Sequence, residues 1–426
     1  MPNGQSSAHL FQPKLVATLA EGYRLDTARR DALAGLTVAI VALPLSMAIA
    51  VASGVAPERG LYTAVIGGFL VSALGGSRFQ IGGPAGAFIV LVASTVARYG
   101  LDGLLLAVLL SGVMLTLVGA LRLGSLIRYI PHAVTVGFTA GIAIIIFASQ
   151  IRDLCGLRLP GAEPGPLLPK LAALGAAWST TQPAALATGA AVAAIIVLVR
   201  RARPTWPGML VAVIAASLAA LVLHLPIETI GSRFGDIPRG LLAPALPALS
   251  FDRLVEMLPV SLSFTLLGGV ESLLSAKVAD GMTGRHHRSN MELIAQGIAN
   301  VASALFGGIP VTGTIARTAT NVRAGARSPM SGMLHSIFLL VFLVVAAPLA
   351  AFIPLSALAG VLVVVCWNMA EKAEFVRLLG NWRSGLVLVA TFGLTVVEDL
   401  ITGIIAGCVV AAFLYLSTKL AARGRP

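Results

Sequence analysis

The chain reads as an all-α integral membrane protein with fourteen transmembrane segments, arranged as a seven-plus-seven inverted repeat that contains two half-helices. Three observations predict this. Of its 426 residues, 57% are hydrophobic and only 11% charged, with a mean hydropathy of +0.92; soluble domains carry about 25% charged residues. The charge-free runs are long enough for spans of roughly 20 apolar residues. Two glycine-proline breaks, Gly82-Gly83-Pro84 and Gly307-Gly308-Ile309-Pro310, interrupt apolar stretches 226 positions apart. Matching interruptions in two halves are the pattern of membrane proteins built from repeats.

The elements follow in order. Residues 1–30 are polar and basic, with no short apolar stretch of a cleavable signal, and form a terminal segment. The first repeat, 31–255, holds the runs Ala32–Pro57, Gly60–Ser77, Phe79–Ala97, Gly103–Leu121, Tyr129–Ile151, Leu171–Val199 and Thr205–Ile227. The second, 256–418, opens with Met257–Val270. Leu293–Ala316 holds one full helix and, after its break, the start of a shorter one. Ser328–Ala370 must be two spans divided at Pro354, and Ser384–Val397 and Leu400–Thr418 complete the set. Residues 419–426 form a basic tail.

Shifting the chain by 226 brings Ala32 onto Leu258 and Pro84 onto Pro310. The helices after Asp102 and near Tyr129 fall on those after Arg327 and near Pro354. Register is lost after the fifth helix, where Arg152–Lys170 is a long polar loop. Seven is odd, so the second half enters from the opposite face. With fourteen spans, the side of the termini collects 21 of the 30 Lys and Arg residues, the other side 8, and Arg317 lies within a segment. The positive-inside rule then puts both termini in the cytoplasm. This asymmetry accounts for most of the net charge of +12 without a nucleic-acid partner. Cys155, Cys366 and Cys408 lack pairing or metal spacing, and His286-His287 reads as a solvated basic loop, so no metal is expected.

Pro84 and Pro310 should each open a short helix near the bilayer midplane, where free N–H groups and the helix dipole favour an anion. Ala85, Gly86, Ala87 and Phe88 offer amides, close approach and one aromatic wall, although Phe88 equally suits packing. Thr312, Gly313 and Thr314 offer hydroxyls and amides at the other tip, with Arg317 about two turns in. Ser46, on a first helix that Pro44 should kink, adds a hydroxyl. Ionisable groups inside membrane segments are costly and usually functional. Glu271 is the second one, and Ser275 lies one turn on, on the same face. A structural Glu271–Arg317 ion pair is the plain alternative.

These residues resemble the SulP family, the sulfate permeases and their relatives in solute-carrier family twenty-six. The resemblance covers about Asp31 to Thr418. It rests on Ala42-Leu43-Pro44-Leu45-Ser46-Met47-Ala48, Pro57-Glu58-Arg59-Gly60-Leu61-Tyr62, Phe79-Gln80-Ile81-Gly82-Gly83-Pro84-Ala85-Gly86-Ala87, Glu271-Ser272-Leu273-Leu274 and Gly307 through Thr318, in this order. It implies a uracil-permease-like fold, with a core domain of segments one to four and eight to eleven. The remaining segments form a gate domain that often makes a dimer contact, so a homodimer joins the expected partners. The implied anion site lies between segments three and ten. Ala85, Gly86, Ala87 and Phe88 then line one side, and Thr312, Gly313, Thr314 and Arg317 the other. In some bicarbonate-carrying relatives an Asp at the place of Glu271, with a hydroxyl four residues on, helps hold sodium; here the pair is Glu271 and Ser275. The family usually continues into a cytoplasmic STAS domain, so a chain ending at Pro426 is expected to be the transmembrane part without it.

The resulting expectation is a secondary active anion transporter, not an enzyme, in a bacterial inner membrane. It moves a small oxyanion or dicarboxylate such as sulfate, bicarbonate or fumarate by an elevator-like shift of core against gate. No cofactor is expected beyond a co-transported ion. Proton coupling through Glu271 is favoured over sodium. Sodium-coupled bicarbonate symport, anion exchange or conductance, and nucleobase permeation on the same fold are the alternatives.

Overall fold

A computed structural model of the chain describes residues 11–124, 131–161, 163–164, 166–204, 206–398 and 400–423. The expected helix start at Tyr129 lies outside the described residues, as do 1–10 and 424–426 of the terminal segments. Helix α1 (Lys14–Ala20) precedes α2 (Leu25–Ala52), which contains Pro44. Proline at its first position opens α3 (Pro57–Tyr62), where the missing N–H costs nothing. A π-helical turn (Thr63–Gly67) carries α3 into α4 (Gly68–Leu74). Then come a two-residue strand β1 (Gly82–Gly83), a tight turn (Gly86–Phe88) and α5 (Ile89–Ala120). Gly100 breaks α5 with φ 68°, a backbone state that glycine reaches without steric cost. The arm before Gly100 is the first half-helix.

α6 (His132–Cys155), α7 (Leu167–Ala176), α8 (Pro183–Ala202), α9 (Gly208–Val222) and α10 (Ile230–Phe234) finish the first half. The second half runs through α11 (Phe251–Thr283), α12 (Ser289–Leu305), β2 (Thr312–Gly313), the second half-helix α13 (Ile315–Arg323) and α14 (Met330–Ala350). It ends with α15 (Leu355–Met369), α16 (Lys372–Leu379), α17 (Trp382–Val397) and α18 (Leu400–Arg423). Fourteen segments result when α3 with α4 counts as one and the arms of α5 as two, leaving α1, α7, α10 and α16 as connectors.

Two groups of helices pack within themselves. α2, α4, α5, α11, α12, α13 and α14 form the core; α6, α8, α9, α15, α17 and α18 form the gate. α15 and α9 of the gate touch α2, and α6 touches α5.

Several boundaries differ from the expectation. α2 begins at Leu25 and α11 at Phe251, seven residues before Ala32 and Leu258. Charged residues mark where the bilayer begins, and these helices continue past it. The run Leu171–Val199 is not one span, because α8 starts only at Pro183 and α7 takes its first part. The largest correction concerns the breaks. Neither Pro84 nor Pro310 opens a half-helix: regular turns begin at Gly86 and at Ile315. β1 and β2 pair antiparallel, Gly82 opposite Gly313 and Gly83 opposite Thr312. A proline has no N–H for a ladder, so Pro84 follows β1 and Pro310 precedes β2. The paired residues are 231 (Gly82 and Gly313) and 229 (Gly83 and Thr312) positions apart, so the shift of 226 that aligns the prolines does not describe the ladder.

Candidate functional site

Both half-helices start just after a strand of the two-strand ladder. α13 secures the first break. Thr314 donates to the Ile81 carbonyl from its backbone N (3.0 Å) and from its hydroxyl (3.2 Å). The Ile81 N–H donates to Thr318 Oγ1 at 3.1 Å, and Asn321 Nδ2 to the Phe79 carbonyl at 2.9 Å. α12 and the π-helical turn secure the second break. Asn300 Nδ2 donates to the Val311 carbonyl (2.8 Å) while its Oδ1 accepts from the Val311 N–H (2.9 Å), as a neighbouring strand would. Thr63 Oγ1 accepts from the Ile309 N–H at 2.7 Å, and Ser303 Oγ donates to the Ile309 carbonyl at 2.8 Å. The tips are thus bolted to one another and to the core.

Thr314 is the residue before α13, where Ser or Thr normally caps the first turn with its side chain. Its hydroxyl is spent on Ile81 instead, and neither half-helix start has a side-chain cap. First-turn N–H groups have no partner inside a helix, so both tips keep donors for an external acceptor. Ala316, in the first turn of α13, is exposed, whereas Thr312, Gly313, Arg317 and Thr318 around it are buried.

Arg317 is only 1% exposed. Its Nη2 donates to Ser46 Oγ on α2 at 3.1 Å, while Nε and Nη1 have no hydrogen-bond partner. Nη1 lies over Gly83, where any added Cβ would collide with it. Among the described residues no carboxylate pairs with Arg317, so the ion pair with Glu271 is absent. A lone buried charge is expensive.

The other expected residues fall as follows. Ala85, Ala87 and Phe88 are buried at the first tip, and Gly86 faces Ile146 of the gate helix α6. Phe88 is held by packing, its ring 5.7 Å from that of Phe264 on α11 and close to Gly268. Thr312 Oγ1 donates to the Gly268 carbonyl at 3.0 Å. Gly313 lies against the Gln80 side chain. Glu271 is 8% exposed and has no hydrogen bond or ion pair among the described residues. Ser275 lies one turn on, but its hydroxyl is engaged with Thr318 Oγ1 at 3.0 Å, which ties α11 to α13. His287 does not sit free in solvent, because its Nδ1 meets Asp280 Oδ2 at 2.6 Å.

Sequence reasoning missed Asn300, and it named Gln80, Gly83 and Thr318 only as parts of the first break and of the family motifs, without a role at the site. Gln80 Nε2 donates to Ser272 Oγ at 2.8 Å, and its Oε1 is buried without a partner. Gln80 and Asn300 were visible as amides inside apolar runs, a signal as unusual in a membrane segment as a charge. Gly83 stood out only as part of the first break, and Thr318 gave no such sign.

The model of the sulfate permease family matches residues 29–392. YvdB of Bacillus subtilis, named for sulfate transport, is 44% identical over 398 residues, 93% of this chain and 75% of its own. The bicarbonate transporter BicA of Picosynechococcus is 33% identical over 402 residues, 90% of this chain and 69% of its own. Among solved structures, the transmembrane domain of a cyanobacterial BicA superposes with a TM-score of 0.81 at 32% identity, covering 90% of this chain and 98% of that one. The SLC26A9 structure shares the fold, with a TM-score of 0.88 at 18% identity over 97% of this chain and 69% of that one. With these matches and this paired-tip architecture, the chain belongs to the sulfate permease family of membrane transporters.

Proposed function

We propose that this chain is a secondary active carrier of a small oxyanion, sulfate or bicarbonate, seated at the two half-helix starts. The observation that carries the reading is Arg317: a buried guanidinium with two unpartnered nitrogens, beside two uncapped helix N-termini. Oxyanions accept several N–H and O–H bonds at once, which suits amides at 86–87 and 315–316 better than it suits a neutral nucleobase. The names of the relatives support the same substrate class.

The tips, Arg317 and Glu271 belong to one packed body, and α6 of the gate faces Gly86. An elevator-like movement of that body against the gate carries the anion without dismantling its seat. Import of an anion against an inside-negative potential costs about 2.3 kcal/mol per charge per 100 mV, so a compensating ion is required. Glu271 has no cation partner, and a proton neutralises it at the least structural cost. Sodium is the second reading, with Glu271 and the Ser275 hydroxyl, 3.0 Å from Thr318 Oγ1, as its candidate ligands. We place the carrier in a bacterial inner membrane with cytoplasmic termini, as a homodimer through its gate.

Uptake by proteoliposomes of sulfate, bicarbonate, chloride, fumarate and uracil, at two pH values with and without sodium, tests this. Sulfate or bicarbonate uptake that rises at lower external pH and ignores sodium is expected. Uptake of uracil alone would overturn the reading.

A further inference from the structure

A second cluster of charge lies outside the transport site, at one end of the core. Three connections meet there: Gly75–Arg78 after α4, Arg285–Arg288 between α11 and α12, and Arg327–Ser328 between α13 and α14. α1 is strapped across them. The Lys14 N–H donates to the Gly75 carbonyl at 2.9 Å, Arg288 Nη1 to the Gln12 carbonyl at 2.5 Å, and Arg78 pairs with Glu21. Between them is a cavity of about 430 Å³, lined by Arg30, Arg78, Arg285, Arg327, Glu21 and Asp26.

The charges in this cavity do not balance. Glu21 answers Arg78, and Asp26 answers Arg30 at 3.4 Å. The nearest other acids are committed. Asp31 accepts from the N–H groups of Arg327 and Ser328 and from the hydroxyls of Tyr23 and Ser328, and Asp280 accepts from His287. Among the described residues the guanidiniums of Arg285 and Arg327 have neither a hydrogen bond nor an ion pair. Lys14 and Arg288 add further positive charge. Burial, and after it the guanidiniums of Arg288 and Arg78, holds the Lys14 ammonium below its usual range.

We propose that this cavity binds a phosphate group, presented by an anionic phospholipid or by a free polyphosphate. Two uncommitted guanidiniums form the forked, charge-assisted contacts that phosphate oxygens prefer. Val16, Leu19 and Leu25, on the helices that carry Thr18 and Asp26 of the lining, are exposed and apolar, a surface that suits lipid and favours the lipid source. The bound phosphate fastens α1 and three core connections together.

The test uses the full chain. Pyrophosphate binding is measured by calorimetry in detergent, and phosphatidylglycerol retention by native mass spectrometry. Wild type, the double variant Arg285→Ala with Arg327→Ala, and Arg317→Ala are compared. Binding of either probe that falls at least tenfold in the double variant and survives in Arg317→Ala supports the site. The probe that behaves so identifies the source. Failure of the wild type to bind either probe, equal binding by the double variant, or loss only in Arg317→Ala overturns it.

Discussion

Replacing Asn300 by Ala tests whether the second tip is held by a side chain posing as a strand. Asn300 is 2% exposed, and its amide makes three bonds: to the Gln296 carbonyl (2.8 Å), to the Val311 carbonyl (2.8 Å) and from the Val311 N–H (2.9 Å). Val311 is fully buried and immediately precedes Thr312, which pairs with Gly83. Truncation orphans both backbone groups of Val311, at about 1–3 kcal/mol each. The vacated amide leaves a polar space that a water can enter and partly repair, so the lower end, about 2 kcal/mol, is the working figure. If all of it falls on the seated geometry, the binding-competent population drops and the apparent KM rises up to about thirtyfold. Ser303→Ala is the matched control, since the Ile309 carbonyl keeps the Thr63 hydroxyl at 3.1 Å and the loss should be several-fold smaller. The assay is anion uptake against concentration in proteoliposomes, beside thermal unfolding in detergent. An Asn300→Ala protein with wild-type KM and unchanged melting would refute the clasp.

Three further outcomes are expected. Glu271→Gln, which mimics the protonated acid, should flatten the rise of uptake at lower external pH while leaving anion binding within a few-fold of wild type; an unaltered pH profile removes Glu271 from coupling. Gly83→Ala pushes a methyl into Arg317 Nη1 at a backbone φ of +158° that side chains rarely adopt, so melting should fall and KM rise severalfold; an unaltered KM would separate the guanidinium from the seat. Gly313→Val intrudes on the Gln80 side chain and should reduce uptake by an order of magnitude at near-normal expression; full activity would show that the ladder tolerates crowding.

The architecture was legible because lipid makes sequence speak plainly. Unbroken apolar runs, the basic side and two glycine-proline interruptions were enough for fourteen segments, but they put Arg317 about two turns into its half-helix, whereas it is the third residue of α13. The ladder was not legible: two-residue strands have no periodicity, and their partners are 231 and 229 positions apart. For the same reason the prolines were read as helix starts, when each lies just outside a pairing that has no use for it. The Glu271–Arg317 alternative followed from counting charges in segments, which ignores direction: Arg317 turns towards Ser46 and Gly83, and Glu271 sits on α11 without it. Thr318 and Asn300 act on backbone atoms, and a side chain's backbone partner leaves no mark in its own sequence neighbourhood.

Equilibrium binding of labelled sulfate and bicarbonate to purified wild type and Arg317→Ala reaches the central claim most directly. Charge-assisted bonds are worth about 1.5–3 kcal/mol each, so losing Arg317 should weaken the tighter-bound anion about ten- to a hundredfold, with uracil unable to compete in the wild type. Wild-type affinity in Arg317→Ala, or displacement of the anion by uracil, would contradict the assignment of the paired helix starts as an anion seat.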